Sequence, residues 1–275
     1  MKFTKMHGIS NDYIYINGAT EKIDNLSETA IKLSDRHTGI GSDGIVIILP
    51  SKTCDFRMRM FNSDGSEAEM CGNASRCVGK YVYDKGLTNK TKVTLETLAG
   101  VKILDFHVVD GKVDTVTVDM GEPILKGLDI PTTFDLPTVV SQPIEVLGKT
   151  NMTTCVSMGN PHSVIFVDNV DSLDLEKIGP SYECHPVFPR KTNTEFVEVH
   201  NRSEVKMRVW ERGSGETLAC GTGACAAYVA GKLAGILTDE VTVNMPGGSV
   251  VVSYDNTQEN IFLYGDANEI FTGEY

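Results

Sequence analysis

The chain has 275 residues, 41% of them apolar and 23% charged, ordinary values for a globular protein with a real core and about twice the usual domain length. Twenty-five Lys and Arg stand against 37 Asp and Glu, and the net charge of −12 argues against nucleic acid or an anionic membrane as partner. No run approaches the roughly 18 apolar residues of a membrane span. The opening Met1–Gly8 lacks an export segment, and seven cysteines is an odd number for a disulfide framework, so reduced thiols in a cytoplasm are expected.

In chain order, the first clear signal is Arg57–Phe61, which alternates as a half-buried strand does. Asp64-Gly65 supplies turn chemistry before Cys71. After that cysteine the period becomes helical, with Ala74, Cys77, Val78, Tyr81 and Val82 on one face, and Lys85-Gly86 is a helix stop. Strands are predicted over 101–108 and 113–119, and a second half is expected to begin near Gly121-Glu122-Pro123. Beyond it lie predicted strands at 163–167, 195–199 and Val205–Trp210, then turn chemistry at Gly213-Ser214-Gly215. A second helix is predicted after Cys220, with Ala224, Ala227 and Tyr228 on one face, although Gly231 adds no apolar surface there. Ala234-Gly235 ends it, and strands follow at 241–243, 249–254 and 260–264.

These signals repeat. Laying 58–72 over 207–221 matches Met58-Arg59 with Met207-Arg208, Glu67 with Glu216 and Cys71-Gly72 with Cys220-Gly221, and sets Phe61 over Trp210. That is 5 identities in 15 positions, where chance supplies about 1. The same offset puts Asn11 over Asn160 and Gly86 over Gly235, and one residue less puts Val93-Thr94-Leu95 over Val241-Thr242-Val243. The expected architecture is therefore α+β: two pseudo-twofold related domains, each a mostly antiparallel sheet wrapped around a central helix. The domains are expected to be 1–119, with a last strand 264–275 returning to it, and 120–263.

Both Cys-Gly pairs sit where a loop becomes a helix. Unpaired N–H groups and the positive end of the helix dipole favour thiolate there, so a lowered cysteine pKa is expected. The neighbouring amides make a cradle for a carboxylate. If the halves pack face to face, two such thiols meet across one cleft, and stereoinversion needs such a pair: one removes a proton while the other delivers one. The remaining cysteines, Cys54, Cys77, Cys155, Cys184 and Cys225, read as small buried hydrophobes.

The blocks Met6–Asp12, Phe61–Glu67, Cys71–Cys77, Gly159-Asn160-Pro161-His162, Glu211-Arg212-Gly213 and Ala219–Gly223 closely resemble those of the diaminopimelate epimerases, and the resemblance covers nearly the whole chain. These enzymes interconvert LL- and meso-diaminopimelate without a cofactor. The resemblance implies that Cys71 and Cys220 are the two acid/base residues, with His162 and Glu211 beside them tuning proton transfer. It implies that Asn11, Asn62, Asn160, Asn193, Glu211 and Arg212 bind substrate, with Gly72-Asn73 and Gly221-Thr222 as the carboxylate cradle. It further implies a small-molecule substrate, a role in lysine and peptidoglycan precursor supply, a homodimer, and no pyridoxal phosphate or metal. Gly44 departs from the pattern, standing where many relatives carry a glutamine that touches substrate. Rival readings are another cofactor-independent amino-acid racemase on the same scaffold and, without enzymatic activity, a redox-sensing dithiol protein. Spacings of Cys-x5-Cys and Cys-x4-Cys do not suit zinc.

Overall fold

The computed structural model describes every residue except Gln258. It is an α+β chain that divides into two compact units, Met1–Asp119 with Tyr264–Tyr275, and Met120–Leu263.

In the first unit, β1 (Lys2–Gly8) pairs antiparallel with β2 (Asn11–Asn17), and after α1 (Leu26–Ser34) the chain returns as β3 (Gly44–Leu49), parallel to β2. β4 (Phe56–Asn62) runs antiparallel to β3 and to the short β5 (Glu67–Ala68). Next come α2 (Gly72–Asp84) and β6 (Lys92–Thr97), which pairs parallel with β4. The meander β7 (Gly100–Val109) and β8 (Lys112–Gly121) completes the ascent, and β18 (Asn268–Glu274) closes on β1. α1 starts at Asn25, whose side chain accepts from the Glu28 N–H, and it buries Ala30 and Leu33 against Ile45, Ile47 and Phe61. α2 packs on β1, β2 and β7, and eight consecutive residues, Gly72 to Gly79, are buried.

The second unit repeats that order of elements. β9 (Val139–Val146) pairs with β10 (Lys149–Ser157), which is antiparallel to β11 (Pro161–Phe166). After α3 (Leu175–Glu183), β12 (Asn193–Asn201) returns parallel to β11. β13 (Glu204–Glu211), β14 (Gly215–Thr217), α4 (Gly221–Leu233), β15 (Glu240–Met245) and β16 (Gly248–Asp255) then retrace β4 to β7, down to the parallel β13–β15 pair, before β17 (Asn260–Asp266). The sequence repeat is thus a repeat of strand pairing, with Asn11 and Asn160 at the entry to equivalent strands.

Eight of the 13 residues of α4 are Gly, Ala or Cys, and the helix packs on β10, β11, β12, β15 and β16. Small side chains let strands approach it on several sides while alanine keeps helix propensity high. Gly231 interrupts its apolar stripe because Leu237 fills that place: a Cβ there would lie 2.2 Å from Leu237 Cδ1. Both central helices stop where predicted, at Gly86 (φ +71°) and Gly235 (φ +70°), the left-handed turn that glycine takes without penalty. Two expectations about cysteines fail. Cys184 caps the C-terminus of α3 and is exposed, and Cys54, in the turn before β4, is half-buried; neither lies on an inward face.

Candidate active site

Each unit carries its own polar cluster around a cysteine that caps a 13-residue helix. Cys71 has extended backbone (φ −142°, ψ 125°) and precedes the first turn of α2. Its thiol donates to Asn11 Oδ1 at 3.4 Å, and Asn73 Nδ2 donates to the same oxygen at 3.4 Å. Asn11 Nδ2 in turn donates to Asp43 Oδ2 at 2.8 Å. Burial raises the pKa of Asp43, and the neighbouring Asp12 pushes in the same direction. Asp12 is held below its ordinary value although burial opposes this, because Arg36 and Lys5 both bond it.

The buried Arg76 fixes the cradle from beneath: Nη2 donates to Asn73 Oδ1 at 3.0 Å and Nε to the Asp266 carbonyl at 2.9 Å. That role leaves Asn73 with its Nδ2 aimed at Asn11. Asn62 sits at the β4–β5 turn, donating to Ser66 Oγ at 3.1 Å. Gly44 has no room for any side chain, since a Cβ there would lie 2.0 Å from the Phe61 carbonyl oxygen and 2.7 Å from Tyr13 Cε1. The departure noted in the sequence is therefore enforced by the local packing of β3 between β2 and β4.

In the second unit Cys220 caps α4 and is buried, its Sγ accepting from the Gly223 N–H at 3.3 Å and lying 3.5 Å from Thr222 Oγ1. The lowered pKa expected at a helix start is corrected here. Burial drives the Cys220 thiol well above its ordinary value, Glu211 and Glu195 push the same way, and the Thr222 and Gly223 bonds do not offset them. Desolvation of a thiolate outweighs one end of a helix dipole. Burial also raises the Glu211 carboxyl, against hydrogen bonds from Thr217 and Cys220. Burial thus favours the protonated form of both the thiol and the carboxyl that faces it.

His162 on β11 is fully buried, with Nδ1 2.7 Å from Glu195 Oε1 and Nε2 3.0 Å from Asn160 Oδ1. Asn160 Nδ2 donates to Thr222 Oγ1 at 3.3 Å, which brings the duplicated asparagine to the duplicated helix start. Asn193 is engaged by main chain, donating to the Pro161 carbonyl at 2.8 Å and accepting from the Arg212 N–H at 2.9 Å. Arg212 is exposed, with Nη1 3.3 Å from the Arg190 carbonyl. Asn193 therefore sets where the Arg212 backbone stands. Gly221 is buried behind Cys220 at the start of α4. Sequence reasoning missed Glu195 and Arg76. Each is a charged residue inside an otherwise regular element, and that misplaced charge was the only available signal. Among the described residues, no group of three or more His, Cys, Asp or Glu is arranged to hold a metal ion, and no helix is long and apolar enough to cross a membrane.

The family model for diaminopimelate epimerase matches residues 3–126 and 154–270. The chain belongs to the diaminopimelate epimerase family. Curated relatives bearing that name include a protein of Acetivibrio thermocellus, 57% identical over 274 residues and spanning 100% of this chain and 98% of its own. Another, from Methanococcus maripaludis strain S2, is 55% identical over 274 residues and spans 100% and 99%. Among solved structures, a hydroxyproline epimerase from Agrobacterium vitis superposes with a TM-score of 0.71 at 15% identity, covering 99% of this chain and 90% of that one. A phenazine-biosynthesis PhzF-family protein from Bacillus anthracis gives 0.71 at 16% identity, covering 100% and 98%. At such identities these last two show a shared fold only.

Proposed function

We propose that this family member interconverts LL- and meso-2,6-diaminopimelate by proton transfer at one α-carbon, with Cys71 and Cys220 alternating as base and acid. The observation that carries the reading is the duplication itself: two Cys-Gly helix starts, each joined to an asparagine at the entry of an equivalent strand, within a family match over most of the chain.

The reaction removes an α-proton as H⁺ and leaves its electron pair on carbon, delocalised into the adjoining carboxylate. A proton delivered to the opposite face then inverts the centre, with no net oxidation or reduction. The difficulty is the weak acidity of that α-hydrogen. N–H groups at the starts of α2 and α4, around Gly72-Asn73 and Gly221-Thr222, supply fixed donors for the carboxylate where negative charge develops, which is a leading contribution in such reactions. Asn11, Asn62, Asn160 and Asn193 add polar contacts, and Arg212 is assigned the distal carboxylate, which a planar guanidinium holds two-pronged.

For Cys220 to act as base its proton must leave before the substrate's arrives. Glu211, already accepting a hydrogen bond from that thiol, receives it, and the pair keeps its net charge. Cys220 thus rests as thiol, the state that donates. The protein is further proposed to work in the cytoplasm as a homodimer, supplying precursors of lysine and peptidoglycan. Turnover of LL-diaminopimelate by the purified protein, set beside lysine and alanine, tests the assignment. Epimerisation of diaminopimelate alone is expected. Equal turnover of the monoamino acids would transfer the assignment to a general racemase.

A further inference from the structure

We propose that Glu195 is a positioning residue which, through His162, Asn160 and Thr222, directs a one-way chain of hydrogen-bond donors onto the Cys220 sulfur. Glu195 and His162 lie on the adjacent parallel strands β12 and β11, both fully buried and 2.7 Å apart. Among the described residues Glu195 Oε2 is buried without a hydrogen-bond partner, which leaves the bond to His162 as the local compensation of the carboxylate. A buried carboxylate survives only when it is paired, which requires a proton between Oε1 and Nδ1; a second proton on Nε2 makes the pair neutral overall.

The polarity of the rest follows. Asn160 presents Nδ2 to Thr222 and therefore Oδ1 to His162, so Nε2 must carry a proton to donate. Thr222 Oγ1 accepts from Asn160, leaving its O–H to donate to Cys220 Sγ at 3.5 Å. From His162 Nε2 onward every link points toward the sulfur, and the last favours thiolate. Gly223 lets the carboxylate in: a Cβ there would stand 2.8 Å from Glu195 Oε1 and 3.2 Å from Cys220 Sγ. Other titratable groups around the sulfur are Glu211 on β13 and, facing Glu195 from β10, Cys155. Both are anionic or neutral, so neither supplies what the chain supplies.

In Glu195→Gln the uncharged carboxamide accepts from Nδ1–H, His162 becomes neutral, and Nε2 turns from donor to acceptor. Asn160 must then reverse its amide, Thr222 donates to Asn160 instead, and Cys220 loses the Thr222 donor while keeping that of the Gly223 N–H. The proposal rests on reading Cys220 as an acid/base group, yet its test needs no substrate, so a wrong substrate and a wrong relay give different results. The test is alkylation of the intact protein by iodoacetamide across pH, with the Cys220 peptide followed by mass. Glu195→Gln removes the direct repulsion of Glu195 together with the positive charge of His162, and the lost Thr222 donor is expected to move the Cys220 profile up by about one pH unit, about tenfold slower below the midpoint. Thr222→Val should do the same, and Thr222→Ser should restore it. Nitrogen-15 NMR of His162 in the unaltered protein gives the second measurement, with a proton on Nε2 expected. A bare Nε2, or an unmoved Cys220 profile in folded Glu195→Gln, overturns the relay; should that variant fail to fold, the NMR result decides alone.

Discussion

Cys220 and Cys71 occupy the same place in two copies of one element, yet their surroundings differ. Cys71 donates to an amide oxygen and is half-buried, whereas Cys220 is buried, faces Glu211 and accepts from a backbone N–H. On the proposed chemistry neither replaces the other, because each direction of inversion consumes one acid and one base. Cys71→Ala and Cys220→Ala are each expected to lower kcat by at least about 10³ while leaving circular dichroism and the melting temperature near those of the parent. Arg212→Lys belongs to the same scale. A point charge cannot reproduce a two-pronged hold, so kcat/KM for diaminopimelate should fall about 10²-fold, chiefly through KM. An unchanged KM would remove Arg212 from the substrate.

At the level of elements, packing decides what individual residues can be. Gly44 lies in β3 with the Phe61 carbonyl where a Cβ would go, so Gly44→Gln should not add a substrate contact. It should force β3 from β4, costing about 1–3 kcal/mol or more in denaturant unfolding. A stable Gly44→Gln protein with improved KM would contradict that reading. Elements built on local pattern were legible in the sequence: both central helices, their glycine stops and the strands that flank them. α1 and α3 were not, since α1 is short and α3 carries Pro180 within its nine residues. The site was legible to the extent that it is duplicated, as Asn11 and Asn160 show. Glu195 was not, because its partner lies 33 residues away and a single charge in a strand reads as a solvated position. The thiol pKa expectation failed for a related reason: sequence shows the helix start, but burial of the sulfur is a property of packing.

Across the whole molecule, both units bury thiols that the unfolded chain exposes. Burial pushes Cys77 in the first unit and Cys155 in the second up to about 12, and Tyr15 beside Cys77 is raised in the same direction. The folded state keeps these protons while unfolded thiols lose theirs near the ordinary value of 9.0. Their contribution is therefore fully present below about pH 8 and is lost as pH rises toward about 12, at up to about 1.4 kcal/mol per pH unit for each group. Denaturant unfolding across that range should show the decline, and Cys77→Ala combined with Cys155→Ala should make it shallower. A slope equal to the parent's would mean that other groups govern alkaline stability.

The central claim is two-base epimerisation of diaminopimelate, and isotope exchange in deuterated water addresses it most directly. Purified protein given LL-diaminopimelate should place one deuterium at one α-carbon, with the label appearing first in the meso product, because the group that delivers the proton has exchanged with solvent and is not the group that removed the substrate's. Cys71→Ala and Cys220→Ala should each abolish formation of labelled meso product. Unlabelled meso product from the parent, or labelled product at the parent rate from either variant, would contradict the account.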